Sequence, residues 1–217
     1  MDAPQNTFWQ LRLEALRDAL EKNNFEAHVV ADGQEAKGLC LDRLIPAVAP
    51  GAISWGGSMT FTDSGLYEAI KARSGLNIID TFDKSISAAE SYERRRQSLL
   101  ADLFITGTNA VTERGHLVNL DMIGNRVAAL TFGPRTVIVL VGRNKIVPDL
   151  AAAMDRIKGY AAPVNVMRLD KKTPCATTGR CHNCKVPDRI CNYWTITEKS
   201  FPRHRIKVVL INQDMGL

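Results

Sequence analysis

Four of the five cysteines in this 217-residue chain, Cys175, Cys181, Cys184 and Cys191, fall within seventeen residues at a spacing of C-x5-C-x2-C-x6-C. A C-x-x-C pair is the usual clip by which two thiolates on a tight turn reach one ion at ~2.3 Å. Pro174, Gly179 and Pro187 keep the segment irregular, so four ligands can converge from one loop. Four thiolates suit a tetrahedral zinc ion or an iron–sulfur cluster. Arg180, Lys185, Arg189, Lys171 and Lys172 would offset the negative charge and lower the thiol pKa values. The spacing is neither the two-cluster ferredoxin run nor a pair of zinc-ribbon knuckles, so the metal stays undecided between the two. His182 or His204 could replace one cysteine, and disulfides or free thiols are the alternatives to metal. Cys40 stands alone in a helical pattern and reads as a small buried apolar residue.

Three loops carry the remaining chemistry. In Trp55-Gly56-Gly57-Ser58-Met59-Thr60 the paired glycines let a backbone approach a ligand, and Ser58 and Thr60 offer hydroxyl donors to an anion. A capped strand-to-helix turn is the alternative, because the full G-x-G-x-x-G spacing is absent. The run Thr106-Gly107-Thr108-Asn109, continuing through Thr112 to Glu113 and Gly115, leaves an apolar strand at its C-terminal end. There Glu113 would serve as nucleophile or general base, with Thr108, Asn109 and Thr112 orienting a substrate; a polar hairpin is the alternative. In Asp121-Met122-Ile123-Gly124-Asn125-Arg126, Gly124 and Asn125 read as a turn between two strands, with Asp121 and Arg126 an ion pair or ligand clamp. Lys145 follows another apolar strand and is expected to point into the same cleft. His28, His116, His182 and His204 are isolated from one another, and no G-x-S-x-G elbow appears, so triad hydrolysis is not supported.

These groups need a scaffold, and the apolar periodicity supplies one. Trp9, Leu13, Leu16 and Leu20 mark a helix over 7–23. Strands are expected at 25–30, 51–55, 77–80, 103–107, 117–120, 127–132, 136–141 and 206–211. Helices are expected at 34–47, from 58 to about 70, from a Ser87–Glu90 capping box to about 100, and over 149–160. Several strands are apolar without alternation, as in a sheet covered on both faces. The expected fold is α/β, a Rossmann-like and mostly parallel sheet flanked by helices, with a Cys-rich C-terminal segment.

The net charge of +5 conceals an uneven distribution. From Arg168 onward ten basic residues face four acidic ones, and the preceding 167 residues sum to −1. The expected organisation is therefore an α/β domain over 1–167, followed by a Cys-rich segment and final strand, 168–217, packed on the same domain. The aromatic residues in the cationic tail are few (Tyr193, Trp194 and Phe201), which argues against nucleic-acid binding. Apolar runs are far short of the about 20 residues needed to span a bilayer, and Met1-Asp2-Ala3-Pro4 does not begin a secretory pattern. The expected location is cytoplasmic.

The ordered set from Ala101 through Gly107, Asn109, Glu113, Gly115, Gly124, Asn125, Arg126 and Gly133 to Gly142-Arg143-Asn144-Lys145 resembles the LUD-domain family, the lactate-utilisation proteins B and C. The similarity extends back through Gly57-Ser58-Met59-Thr60 and forward to Met215-Gly216. It implies a place in the sugar-phosphate isomerase and CoA-transferase-like superfamily, with a cleft lined by the three loops and a role in oxidising lactate or a related acid. Glu113-Arg114-Gly115 is similar to the acidic nucleophile setting of CoA-transferases. The leading expectation is an accessory or redox-complex subunit of organic-acid utilisation, binding an anionic small molecule and partnered by iron–sulfur or other redox subunits. The alternative is an acyl-CoA or sugar-phosphate transferase or isomerase using Glu113.

Overall fold

The computed structural model describes residues 3–217. Six parallel strands form its central sheet: β1 (Glu26–Val30), β2 (Ile53–Trp55), β3 (Ile78–Ile79), β4 (Leu103–Gly107) and, with the four strands of a second sheet interleaved in the chain, β7 (Thr136–Gly142) and β10 (Ile206–Ile211). Their spatial order is β1-β10-β7-β4-β2-β3. The last strand of the chain thus lies between β1 and β7 and pairs with both in parallel. The chain after Arg168 completes the middle of the sheet before it closes.

The unbroken apolar runs of β7 and β10 follow from burial on both faces. Val137, Val139 and Val141, with Ile206, Val208 and Leu210, pack against Leu13, Leu16 and Leu20 of α1 (Ala3–Lys22). Ile138, Leu140, Val209 and Ile211 face the other way, onto Ala36 of α2 (Gly33–Leu39), Ile45 of α3 (Ile45–Val48), Phe61 of α4 (Met59–Asp63) and Leu66 and Ile70 of α5 (Leu66–Lys71). Cys40 is fully buried in this second cluster, as an apolar residue would be.

Ser87 caps α6 (Ala88–Gln97) by accepting from the Glu90 N–H. The Glu90 carboxylate turns instead to Arg94, so only half of the expected capping box forms.

A second, four-stranded sheet of order β8-β5-β6-β9 comprises β5 (Ala110–Thr112), β6 (Leu117–Asp121), β8 (Ile146–Val147) and β9 (Tyr193–Thr197). It packs on α8 (Leu150–Arg156) through Val118, Leu120, Val147, Ala153 and Ile157. The stretch expected as a strand over 127–132 is instead the helix α7 (Asn125–Thr131). Gly124, at φ 90°, supplies the left-handed turn that starts it, and the Asp121 carboxylate accepts from the Arg126 N–H. The Gly124-Asn125 turn therefore leads from strand to helix, not from strand to strand. A short apolar run gives no period by which to tell the two apart.

The helix expected to end at 160 continues through a π-turn, Ile157–Ala161, into α9 (Ala162–Arg168). Another π-turn, Cys40–Leu44, joins α2 to α3. Each π-turn lies just before a proline, Pro163 or Pro46. The wider i→i+5 bonds (Ile45 N–H to Cys40 O, Ala162 N–H to Ile157 O) make room where a proline ring would break an α-helix. Among the described residues no helix is long and apolar enough to cross a membrane.

Candidate functional site

Parallel sheets place ligands beyond the carboxyl ends of their strands. Here the chain leaving β2 delivers Gly57, Ser58 and Met59, β3 delivers Thr81 and Phe82, β4 delivers Gly107, Thr108 and Asn109, and β7 delivers Lys145. Asp121 to Ile123, Asn125 and Arg126 close one side of the resulting cleft, and Asn165, Arg168, Leu169, Lys171 and Ile190 close another. Its volume is about 350 Å³.

Of the residues expected from the sequence, nine line this cleft: Gly57, Ser58, Gly107, Thr108, Asn109, Asp121, Asn125, Arg126 and Lys145. Gly56, Thr60, Thr112, Gly124 and Glu113 do not, and the Thr112 hydroxyl accepts from His116 N–H at 3.1 Å within the hairpin. The two adjacent glycines have different roles. A side chain at Gly57 would meet nothing within 4 Å, whereas one at Gly56 would stand 2.9 Å from the Phe104 ring and 3.1 Å from Arg126. Gly57 keeps the cleft open; Gly56 lets β2 pack. Ser58 caps the one-turn helix α4 by accepting from Phe61 N–H at 3.2 Å, and α4 is too short to offer a useful dipole. Thr60 lies beneath the cleft as a support: it donates to Met215 O at 3.2 Å and accepts from Lys145 Nζ at 2.7 Å.

Arg126 resolves as the ion pair and not as a free clamp. Its side chain is 7% exposed and pairs with Asp121 at 3.2 Å. Nε donates to Asp121, one terminal nitrogen to Gly107 O and Asn119 Oδ1, and the other to Asn109 Oδ1 and Leu120 O. Every guanidinium N–H is committed to protein, so Arg126 shapes the cleft wall by locking β4, the β4–β5 loop, β6 and α7 together.

Lys145 is 4% exposed and makes no ion pair among the described residues. Burial pushes its amine down to about 7, with Arg156 and Arg126 pushing the same way and Asp63 opposing. In the unfolded chain the amine titrates near its ordinary 10.5. Between these values the unfolded state binds more protons, so this group's contribution to stability grows as pH rises from about 7 toward 10.5 and is absent below about 7. Lys145→Met is expected to flatten that rise; thermal unfolding of both proteins between about pH 6 and about pH 9 checks it. A parallel pH dependence in the two proteins would be the contrary result.

Glu113 lies elsewhere, which corrects its grouping with the cleft. Its side chain is half exposed and pairs with Arg12 of α1 at 2.6 Å. The loop after β5 turns onto α1, where Asn23 donates to Arg114 O at 2.8 Å. Gly115 has φ 78°, and a side chain there would meet the α1 backbone at 3.0 Å. The glycine of Glu113-Arg114-Gly115 therefore serves packing against a helix.

The sequence reading missed Arg95, Arg168, Lys171, Thr81 and Phe82 as cleft residues. Arg168 and Lys171 open the cationic tail, so their signal was present as charge. Arg95 was hidden in Arg94-Arg95-Arg96: Arg94 pairs with Asp83 and Glu90 and Arg96 with Glu93, whereas Arg95 donates to the Ser91 carbonyl and hydroxyl and meets no carboxylate among the described residues.

The four tail cysteines line one small cavity of about 20 Å³ with His182, Lys158, Arg189 and Ile190. Cys175 sits in α10 (Pro174–Thr178), its sulfur 3.2 Å from Thr173 Oγ1, and Cys181 Sγ accepts from Asn183 N–H at 3.4 Å. Arg189 laces the loop by donating to the carbonyls of Cys184 and Cys191. All four are free thiols. Among the described residues no three His, Cys, Asp or Glu side chains are grouped so as to hold a metal ion. The donor set suits zinc or iron–sulfur chemistry, and the sulfurs would have to draw inward to share one ion. The Cys191 thiol is pushed up, chiefly by burial and also by Cys181 and Cys175, with Lys158 and Arg189 opposing. The expected lowering by basic neighbours therefore loses to desolvation there. Ile190 lines both this cavity and the main cleft.

A profile of the LUD domain matches residues 13–211. The chain belongs to the LUD-domain family. Among curated proteins nothing matches it. A DUF162 family protein from Deinococcus radiodurans, known from a crystal structure, aligns with 94% of this chain and 98% of its own at 14% identity and a TM-score of 0.49.

Proposed function

We propose that this chain is a component of organic-acid utilisation, of the lactate type, whose cleft holds a small carboxylate. The cysteine lobe beside it would hold a zinc ion or an iron–sulfur cluster in an accessory or redox subunit of a cytoplasmic complex. The observation that carries the cleft reading is charge. Of the cations lining the cleft, Arg126 is neutralised by Asp121 and Lys171 pairs with Asp188 at 3.6 Å, while burial holds the Lys145 amine down to about 7, so Arg95 and Arg168 carry the charge. Arg95 and Arg168 have no carboxylate partner among the described residues; Arg168 donates to Asn165 Oδ1 at 2.8 Å. Unneutralised guanidinium groups around a concave, partly apolar site suit a planar carboxylate. Glu113 does not line the cleft and is held by Arg12, which does not favour transferase chemistry there.

Thermal unfolding in lactate, in pyruvate and in glycerol as a neutral control tests the cleft. A carboxylate at a hundredfold excess over its Kd raises the unfolding free energy by about 2.7 kcal/mol. At this chain length that raises Tm by roughly 5–10 °C. Equal shifts in all three solutes would reject the reading.

Anaerobic purification tests the cysteine lobe. A brown protein absorbing near ~400 nm marks an iron–sulfur cluster, and one zinc per colourless chain marks a zinc site. Cys181→Ser and Cys184→Ser should each reduce the metal content sharply. Metal-free protein with four titratable tail thiols would remove the metal from this account.

A further inference from the structure

We propose that Lys145 is a reactive amine that condenses with the carbonyl carbon of a 2-oxo acid bound in the cleft, forming an imine. The proposal rests on the reading of the cleft as a carboxylate site and adds a covalent step to it. A lysine held at 4% exposure with no ion-pair partner among the described residues is costly unless the amine is used, and here it lines the same cleft as Arg95 and Arg168. Its Nζ donates to the Thr60 hydroxyl at 2.7 Å, which is itself fixed on Met215 O. That bond orients Nζ without neutralising it as a carboxylate would. Gly216 packs so closely that a side chain there would stand 3.2 Å from Nζ. The amine is therefore held from behind by Thr60 and the C-terminal segment.

The charged groups acting on Lys145 are Arg156 from α8, Arg126 from α7 and Asp63 from α4. The two arginines favour the neutral amine, the nucleophilic form, and outweigh the aspartate. In the step itself the Nζ lone pair attacks the carbonyl carbon and the π pair moves to oxygen, which takes a proton. The carbinolamine then loses the hydroxyl, with one nitrogen-borne proton, as water. One C=N bond forms, one C=O bond is lost, and nothing is oxidised or reduced.

The test is reductive trapping of the full chain with pyruvate and cyanoborohydride, followed by intact mass and peptide mapping. Acetone is the neutral carbonyl control. The expected result is one reduced adduct per chain, mapped to Lys145, with pyruvate labelling at least tenfold faster than acetone and the adduct lost in Lys145→Met. Labelling at Lys145 should rise through about pH 7, well below the pH range in which ordinary surface lysines respond. Mapping on the unaltered protein gives the answer even if the variant folds poorly. Adducts scattered over surface lysines, or equal labelling by acetone, would overturn the proposal. Lactate, which has no ketone, separates the two levels. Stabilisation by lactate without pyruvate trapping overturns the imine and leaves the carboxylate cleft standing, whereas neither stabilisation nor trapping overturns both.

Discussion

Replacing Arg126 with methionine is expected to lower the free energy of unfolding by about 3–5 kcal/mol, the range for removing one partner of a buried ion pair. The cost comes from what the guanidinium leaves behind. Asp121 would keep a 13% exposed side-chain carboxylate with no cation against it. Gly107 O, Leu120 O and the side-chain oxygens of Asn109 and Asn119 would each lose a donor. Unsatisfied buried acceptors are penalised by more than their bonds contribute when made. Urea denaturation of Arg126→Met beside Arg126→Met/Asp121→Asn measures this, and the double variant should recover part of the loss. A loss below about 1 kcal/mol, the scale of an exposed pair, would show that the network is not what holds the cleft wall.

Gly142→Ala is expected to have the second largest effect, and it acts on the cleft from behind. The added carbon would stand 2.7 Å from both Met215 N and Met215 O, and 2.6 Å from Asn144 Oδ1. None of these can yield freely. Asn144 clips the C-terminal segment by accepting from Met215 N–H at 3.1 Å and donating to Gly216 O at 3.3 Å. Overpacking of this kind costs about 1–3 kcal/mol. Displacing Met215 also releases Thr60 from its acceptor and admits water to Lys145. Pyruvate trapping should then slow on the order of 100-fold, the penalty for an ångström-scale misplacement, and require higher pH. Unchanged trapping in a destabilised protein would separate the segment from the amine.

The scaffold was legible where burial imposes a pattern. The doubly apolar runs of β7 and β10 and the period of Leu13, Leu16 and Leu20 announce a covered parallel sheet because both faces and one helical stripe must leave water. The turn at Gly124 was legible as a turn but not as a helix start. That distinction depends on the Asp121 carboxylate reaching the Arg126 N–H across five residues, a contact no local pattern encodes. β5, β8 and β9 are short strands whose pairing comes from the second sheet, so their own residues say little.

Among the cleft residues, those that leave strand ends (Gly57, Gly107, Asn109 and Lys145) follow from topology alone. Arg95 and Arg168 do not, since which arginine of a cluster lacks a carboxylate is settled only by three-dimensional pairing. Glu113 shows the converse. Its residue type and neighbouring glycine suit catalysis, but its loop turns away from the cleft lining to pair with Arg12 of α1.

Calorimetric titration of pyruvate into the full chain and into Arg95→Gln/Arg168→Gln addresses the cationic cleft most directly. Hydrogen bonds to charged groups contribute about 1.5–3 kcal/mol each, so the double variant should bind at least on the order of 100-fold more weakly, with its fold intact by circular dichroism. Equal affinity in the two proteins would contradict a carboxylate held between these arginines.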